Sequence, residues 1–183
     1  MQKIIFVFAM TALLPLSGLA NFQFVTPAEA AAVDYYLKLG DIKGEAADSR
    51  YKDWIDVESF SFGVSSTGTM GSGGGGGAGK GAGKASFGAL SLVKALDKST
   101  PLLMLECASG KHFPTAELVL VKSGSEIMKW TLSDILISSY QIDGKDTTPT
   151  DSFSLNFAKI VVEYNSATGP VKVGWDIKAN KRI

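Results

Sequence analysis

Between Thr67 and Lys84 ten of eighteen residues are glycine, and strongly β-patterned segments flank the tract on both sides. Glycine lacks a Cβ and reaches positive φ freely, so such a tract has no fold of its own. Ordering it costs roughly 1–2 kcal/mol of backbone entropy per residue, and few apolar side chains are present there to offset that by burial. The tract reads as a long arm that becomes ordered against something else. That points to assembly before it points to chemistry.

A chain of 183 residues has room for one domain plus an N-terminal extra. Residues 1–30 read as a secretory leader. Lys3 supplies a minimal positive start, Ile4 to Leu16 an apolar stretch, and Ala28-Glu29-Ala30 an A-x-A cleavage site, with cut between Ala30 and Ala31. Pro15, Ser17 and Gly18 break the apolar run, which argues against a membrane-spanning helix or stable anchor; a retained apolar extension is the alternative. Residues 31–183 then form the folded domain, a size that buries roughly 70% of its unfolded surface.

Eighteen Lys and Arg balance eighteen Asp and Glu, and only Lys3 and Glu29 fall in the leader. No basic excess exists to attract nucleic acid or an anionic membrane. Cys107 is the only cysteine and His112 the only histidine. That rules out an intrachain disulfide and a zinc site built from several Cys and His ligands.

Alternation dominates the domain. Val33, Tyr35, Leu37 and Leu39 share one face opposite Asp34 and Lys38, and Gly40 ends the run. A polar loop from Asp41 to Asp53 precedes a second strand from Trp54 to Val64. Phe87 to Leu96 suits helix or strand, and its flanks favour strand. Ser99-Thr100-Pro101 opens a short helix, with a hydroxyl cap and proline at the first helical position, and Gly110 closes it in the left-handed conformation. Thr115 to Lys122 and Glu126 to Tyr140 form a hairpin around Ser123-Gly124-Ser125. A strand from Ser152 to Tyr164 follows. The last strand sets Val171, Val173, Trp175, Ile177 and Ala179 against Lys172, Asp176, Lys178 and Asn180.

Three strands change apolar parity partway. Ile55 and Val57 give way to Phe60, Phe62 and Val64. Met128, Trp130 and Leu132 give way to Ile135 and Ile137. Phe153, Leu155 and Phe157 give way to Ile160, Val162 and Tyr164. A parity switch moves the apolar set to the other face of a sheet. Either a β-bulge restores the original face, or the outer face is covered by a neighbouring subunit.

Candidate chemistry is sparse. Gly74 to Lys80 matches G-x-x-x-x-G-K, but Gly81 stands where a phosphate-binding loop needs Ser or Thr, and no βαβ context surrounds it. His112 lies too near Ser109 and Cys107 in sequence for the usual nucleophile–base arrangement. With Lys111 it reads instead as a cation pair at the negative end of a helix. Cys107 reads as a small buried hydrophobe. Asp53, Asp56 and Glu58 lie along one strand with no partner acid or third ligand, and read as a solvated face. Trp54, Trp130 and Trp175 read as core anchors. These residues define no active site and call for no cofactor or metal.

Several ordered segments carry a family resemblance. They are Asp34-Tyr35-Tyr36-Leu37-Lys38-Leu39-Gly40-Asp41-Ile42-Lys43-Gly44-Glu45, the arm with Gly77-Ala78-Gly79-Lys80, and Asp97-Lys98-Ser99-Thr100-Pro101-Leu102. Cys107-Ala108-Ser109-Gly110-Lys111-His112-Phe113-Pro114, Leu155-Asn156-Phe157-Ala158 and Gly174-Trp175-Asp176-Ile177 complete them. In order and spacing they cover nearly the whole domain, which resembles the haemolysin-coregulated protein family, the tube proteins of type VI secretion systems. The resemblance implies a mainly β fold: a small β-barrel of two packed antiparallel sheets with one short flanking helix and a long Gly-rich loop.

It also implies a non-enzymatic subunit that forms homohexameric rings, stacked head to tail into a tube. The sheath, spike and effector proteins of the secretion system would be its partners. The arm, Thr67-Gly68-Thr69-Met70-Gly71-Ser72-Gly73-Gly74-Gly75-Gly76-Gly77-Ala78-Gly79-Lys80, takes the place of the loop that touches the neighbouring ring. Tube proteins of this family act from the cytoplasm, so the leader is a departure. It implies a secreted protein routed through the periplasm, or a cytoplasmic pool where the leader goes unused. A second reading of the residues is an exported monomeric β-barrel that binds a small ligand or peptide. There Phe60, Phe62, Ile135 and Ile137 would line a pocket, with the arm as its lid.

Overall fold

A computed structural model describes residues 33–66, 84–144 and 148–183. The leader, its cleavage site at Ala30 and Ala31, and the arm from Thr67 to Gly83 lie outside the described residues.

Among the described residues there are eleven strands and one helix, and the longer strands follow the alternation. β1 (Val33–Leu39) pairs antiparallel with β2 (Ile55–Val57) on one side and with β7 (His112–Lys122) on the other. β8 (Ser125–Asp143) joins β7 through a two-residue turn in which Ser123 (φ 49) and Gly124 (φ 73) are both left-handed, as a tight hairpin requires. β9 (Thr150–Ser166) pairs along β8. The first part of β9 also pairs with β6 (Leu90–Ala95), and its last part with β10 (Gly169–Asp176). β11 (Lys181–Arg182) borders β10, and β3 (Ser59–Ser61) borders β6. The ambiguous segment is therefore strand over Leu90–Ala95.

As expected, the fold is mainly β and antiparallel, here as one nine-stranded sheet and a separate two-stranded one. The ladder of the larger sheet is not closed by paired strands. β2 pairs with β1, β3 pairs with β6, and the covalent chain through Glu58 joins them, with the Glu58 N–H donating to Val93 O at 2.8 Å. The sheet thus curls around one core that includes Leu37, Leu39, Ile55, Leu92, Phe113, Leu118, Leu132, Ile135 and Leu155. β4 (Val64–Ser66) and β5 (Ala85–Phe87) form a separate two-stranded stem from which the arm departs.

The parity switches keep every strand on that single core. Ala116, Leu132 and Ile160 face one another across β7, β8 and β9, and so do Phe113, Ile135 and Phe157. All six belong to or pack against the core, although each strand changes parity between the two rows. Asp134 has a left-handed backbone (φ 53), which resets the pleat of β8. A strand reset between in-register neighbours keeps its ladder only if they reset along the same line, and these do. In the segment 55–61 the change falls at Glu58, where the chain passes from β1 to β6. In these rows the switch needs no neighbouring subunit to cover it, although Val64 and Tyr164 at the strand ends stay exposed, and the four residues offered as a ligand pocket are core residues or pack against the core.

A second correction concerns the polar loop. Residues 41–54 fold back over the outer face of β1 and β7. Ala46 and Tyr51 bury Tyr36, Val119 and Val121 there, with the Tyr36 and Tyr51 rings stacked 4.6 Å apart. Period-2 reading puts Tyr36 outward, which is correct, but the outward face is covered.

Candidate functional site

The helix α1 (Thr100–Ser109) is the one helix among the described residues. It begins at the expected place and ends on Gly110 (φ 67, ψ 28). The start differs in its chemistry, since Ser99 makes no side-chain cap. Its hydroxyl donates to Asp97 Oδ1, which also accepts from the Ser99 N–H at 2.8 Å.

The reason is Lys94. β6 alternates Leu90, Leu92 and Lys94 toward the core, and Lys94 is fully buried. Its Nζ donates to Asp97 Oδ1 (2.7 Å), Thr100 Oγ1 (3.0 Å) and Ala95 O (3.0 Å), and lies 3.2 Å from Asp151 Oδ2. The Thr100 and Tyr140 hydroxyls donate to Asp151 Oδ2 at 2.8 and 3.0 Å. This cluster ties the helix start to β6, β8 and β9. Burial alone would raise the Asp97 pKa, but its bonds from Lys94 and Ser99 hold it below the usual carboxylate range. Burial and then the Asp151 charge push the Tyr140 hydroxyl up. Sequence reasoning missed the cluster, although the Leu-x-Leu-x-Lys alternation already put Lys94 on the inward face.

The other candidates for chemistry stand apart. His112 Nδ1 lies 3.0 Å from Asp134 Oδ1, both exposed, while the Ser109 hydroxyl turns to Glu106 and Cys107 packs on the core. Lys111, one of the two cations expected at the helix end, pairs with Glu106 in the last helical turn at 3.0 Å. Asp53 (φ 64) pairs with Lys98 at 3.2 Å. Burial, then the charges of Asp97 and Asp34, raise the Asp56 pKa. Trp130 and Trp175 anchor the core, while Trp54 packs on the outer cluster. No group of three metal-ligating side chains occurs among the described residues.

What the fold offers instead is surface. One outer region, across β3, β6, β9 and β8, is a field of hydroxyls. Ser61 pairs with Ser91, Ser91 with Ser154, and Ser154 with Ser139, a row across four strands. The Ser91 and Ser154 hydroxyls are 2.9 Å apart. β8 bulges between Ile137 and Ser139, and the resulting groove, roughly 320 Å³, has no charged lining residue.

The two ends of the curled sheet differ. α1 covers the end where β6 finishes and β7 and β9 begin, with Leu103 fully buried beneath it. At the other end β1 and β10 start and β7 and β9 finish, while the arm's stem leaves beside the middle of β9. There Phe62 packs on Phe157, and Phe87 on Trp175, with ring centroids 6.0 and 6.3 Å apart. Beyond these rings, Tyr164, Val171 and Val173 are exposed. The arm residues Thr67 to Lys80 that sequence assigns to assembly lie outside the described residues, but their stem is thereby placed.

Comparison with known proteins agrees with this geometry. The family model described as type VI secretion system effector, Hcp, matches residues 36–164. Protein hcp1 of Pseudomonas aeruginosa is 43% identical over 162 residues, 81% of this chain and 98% of that protein. The crystal structure of Hcp1 from Salmonella typhimurium has a TM-score of 0.72 at 33% identity, over 83% of this chain and 99% of that one. A solved structure described as a type six secretion system protein has a TM-score of 0.76 at 27% identity, over 83% and 100%.

Proposed function

This chain belongs to the Hcp family of type VI secretion proteins, and we propose that it works as a structural tube subunit without catalytic activity. Copies join in rings of six, rings stack into a tube, and residues 67–80 bridge one ring to the next. The observation that supports this most directly is the asymmetry of the domain. One end is closed by α1, the other leaves Tyr164, Val171 and Val173 exposed, and the arm's stem departs between the two. Contacts between unlike surfaces extend from copy to copy, closing into rings or running on into stacks.

The serine field suits the face turned to the lumen. An uncharged hydroxyl surface can bond to many protein surfaces without selecting a charge, which fits a tube that carries effector proteins. Spike and sheath proteins contact the ends and outside of such a tube. The protein is secreted, and the leader directs a periplasmic route with cleavage between Ala30 and Ala31; an unused leader leaves a cytoplasmic pool. N-terminal sequencing of the protein from each cell fraction separates the two routes.

Electron microscopy of the purified protein tests the assembly. Rings with a central hole are expected. A species that stays monomeric at high concentration by sedimentation would overturn the reading.

A further inference from the structure

α1 is apolar on both sides. Leu103 and Cys107 fill the protein's own core, while Pro101, Leu102, Met104, Leu105 and Ala108 face outward in one contiguous arc, Met104 being 52% and Leu105 57% exposed. Thr100, Glu106 and Ser109 apart, α1 carries apolar side chains on its inner and outer sides alike, the pattern of a helix buried on both. The opposite end of the sheet has a matching deficit. Val171 pairs directly with Tyr164, and Val173 with Val162, on the face that carries the core. That face runs past the filled interior, leaving Val171 60% and Val173 53% exposed. The outer face of the same ribbon is polar, with Lys172 and Glu163 paired at 3.4 Å.

The two patches cannot cover each other within one molecule. Asp151, beside the helix start, and Tyr164 stand thirteen positions apart on β9, roughly 40 Å of extended strand. Two copies in sequence can do so. We propose that the outward face of α1 in one copy docks on the core-facing overhang of β9 and β10 in the next, so that Leu105 and Val171 meet across a head-to-tail contact. The occupant is a second copy of this chain, because both halves of the contact are present on it. A helix-to-helix contact would leave both overhangs bare and close after two copies, whereas the unlike contact repeats. The inference rests on the tube-subunit reading and adds the surfaces that join neighbours.

Cysteine cross-linking of the full chain in a Cys107→Ser background tests it. With a short bis-maleimide, the double variant Leu105→Cys, Val171→Cys is expected to give a ladder of covalent oligomers. A mixture of the two single variants is expected to give dimers only, and each single variant alone none. Cross-linking of Leu105→Cys alone would show a like-to-like helix contact and overturn the proposal. Rings in the micrographs with no ladder would overturn this contact and leave the tube reading standing. A parent that never assembles would sink both.

Discussion

Lys94 Nζ sits 3.2 Å from Asp151 Oδ2, and neither side chain has any exposure to solvent. A buried ammonium needs every proton matched, and Asp97, Thr100 and the Ala95 carbonyl complete its shell. Removing one partner strands the others. Lys94→Met is expected to destabilise the fold by about 3–5 kcal/mol, the cost typical of breaking a buried pair. Adding Asp151→Leu to Lys94→Met should recover part of that loss. Urea midpoints of the three proteins check it.

The same cluster sets limits on pH at both extremes. Asp97 has a folded pKa below its ordinary 3.8, so its contribution is complete above that value and disappears as pH falls through the lowered one. Tyr140 has a folded pKa raised from 10.0, so its contribution is complete below 10.0 and disappears as pH climbs through the raised one. Thermal melts should therefore show stability falling on the acid side below about pH 4 and on the alkaline side above about pH 10. Asp97→Asn is expected to flatten the first decline and Tyr140→Phe the second.

Gly44 is sterically obligatory. A Cβ there would stand 2.4 Å from Trp54 O and 2.5 Å from Ile55 Cα, both backbone atoms that cannot swing aside. Gly44→Ala should cost about 1–3 kcal/mol, as overpacking does, and loosen the loop that covers Tyr36. Gly63→Ala, where a Cβ meets nothing within 4 Å, is the matched control and should be neutral to slightly stabilising. Denaturant midpoints with Trp54 fluorescence report both.

The arm is expected to be separable from the domain that carries it. Deleting residues 71–83 should leave rings intact and abolish stacking, because the stem strands Val64–Ser66 and Ala85–Phe87 remain to be rejoined. Micrographs of the deletion variant should show single rings. Tubes of ordinary length would refute the role assigned to the arm.

Much of this architecture could be read from the chain alone. Alternation at Val33, Tyr35, Leu37 and Leu39 located β1, and Ser123-Gly124 located the hairpin, because strand period and turn chemistry are local properties. Proline at 101 and Gly110 bracketed α1 for the same reason.

Other features depended on which strands became neighbours. Parity switches at Leu132 and Ile135 had two meanings in sequence, and only the in-register rows through Ala116, Ile160, Phe113 and Phe157 showed that the pleat resets on three strands together. Alternation put Lys94 on the inward face, but its counter-charge Asp151 lies fifty-seven positions away and reaches it only through β9. The local pattern of a strand fixes which side chains share a face. Whether that face meets water, a loop or another strand is set by pairing over long separations, and so it was decided by the tertiary structure.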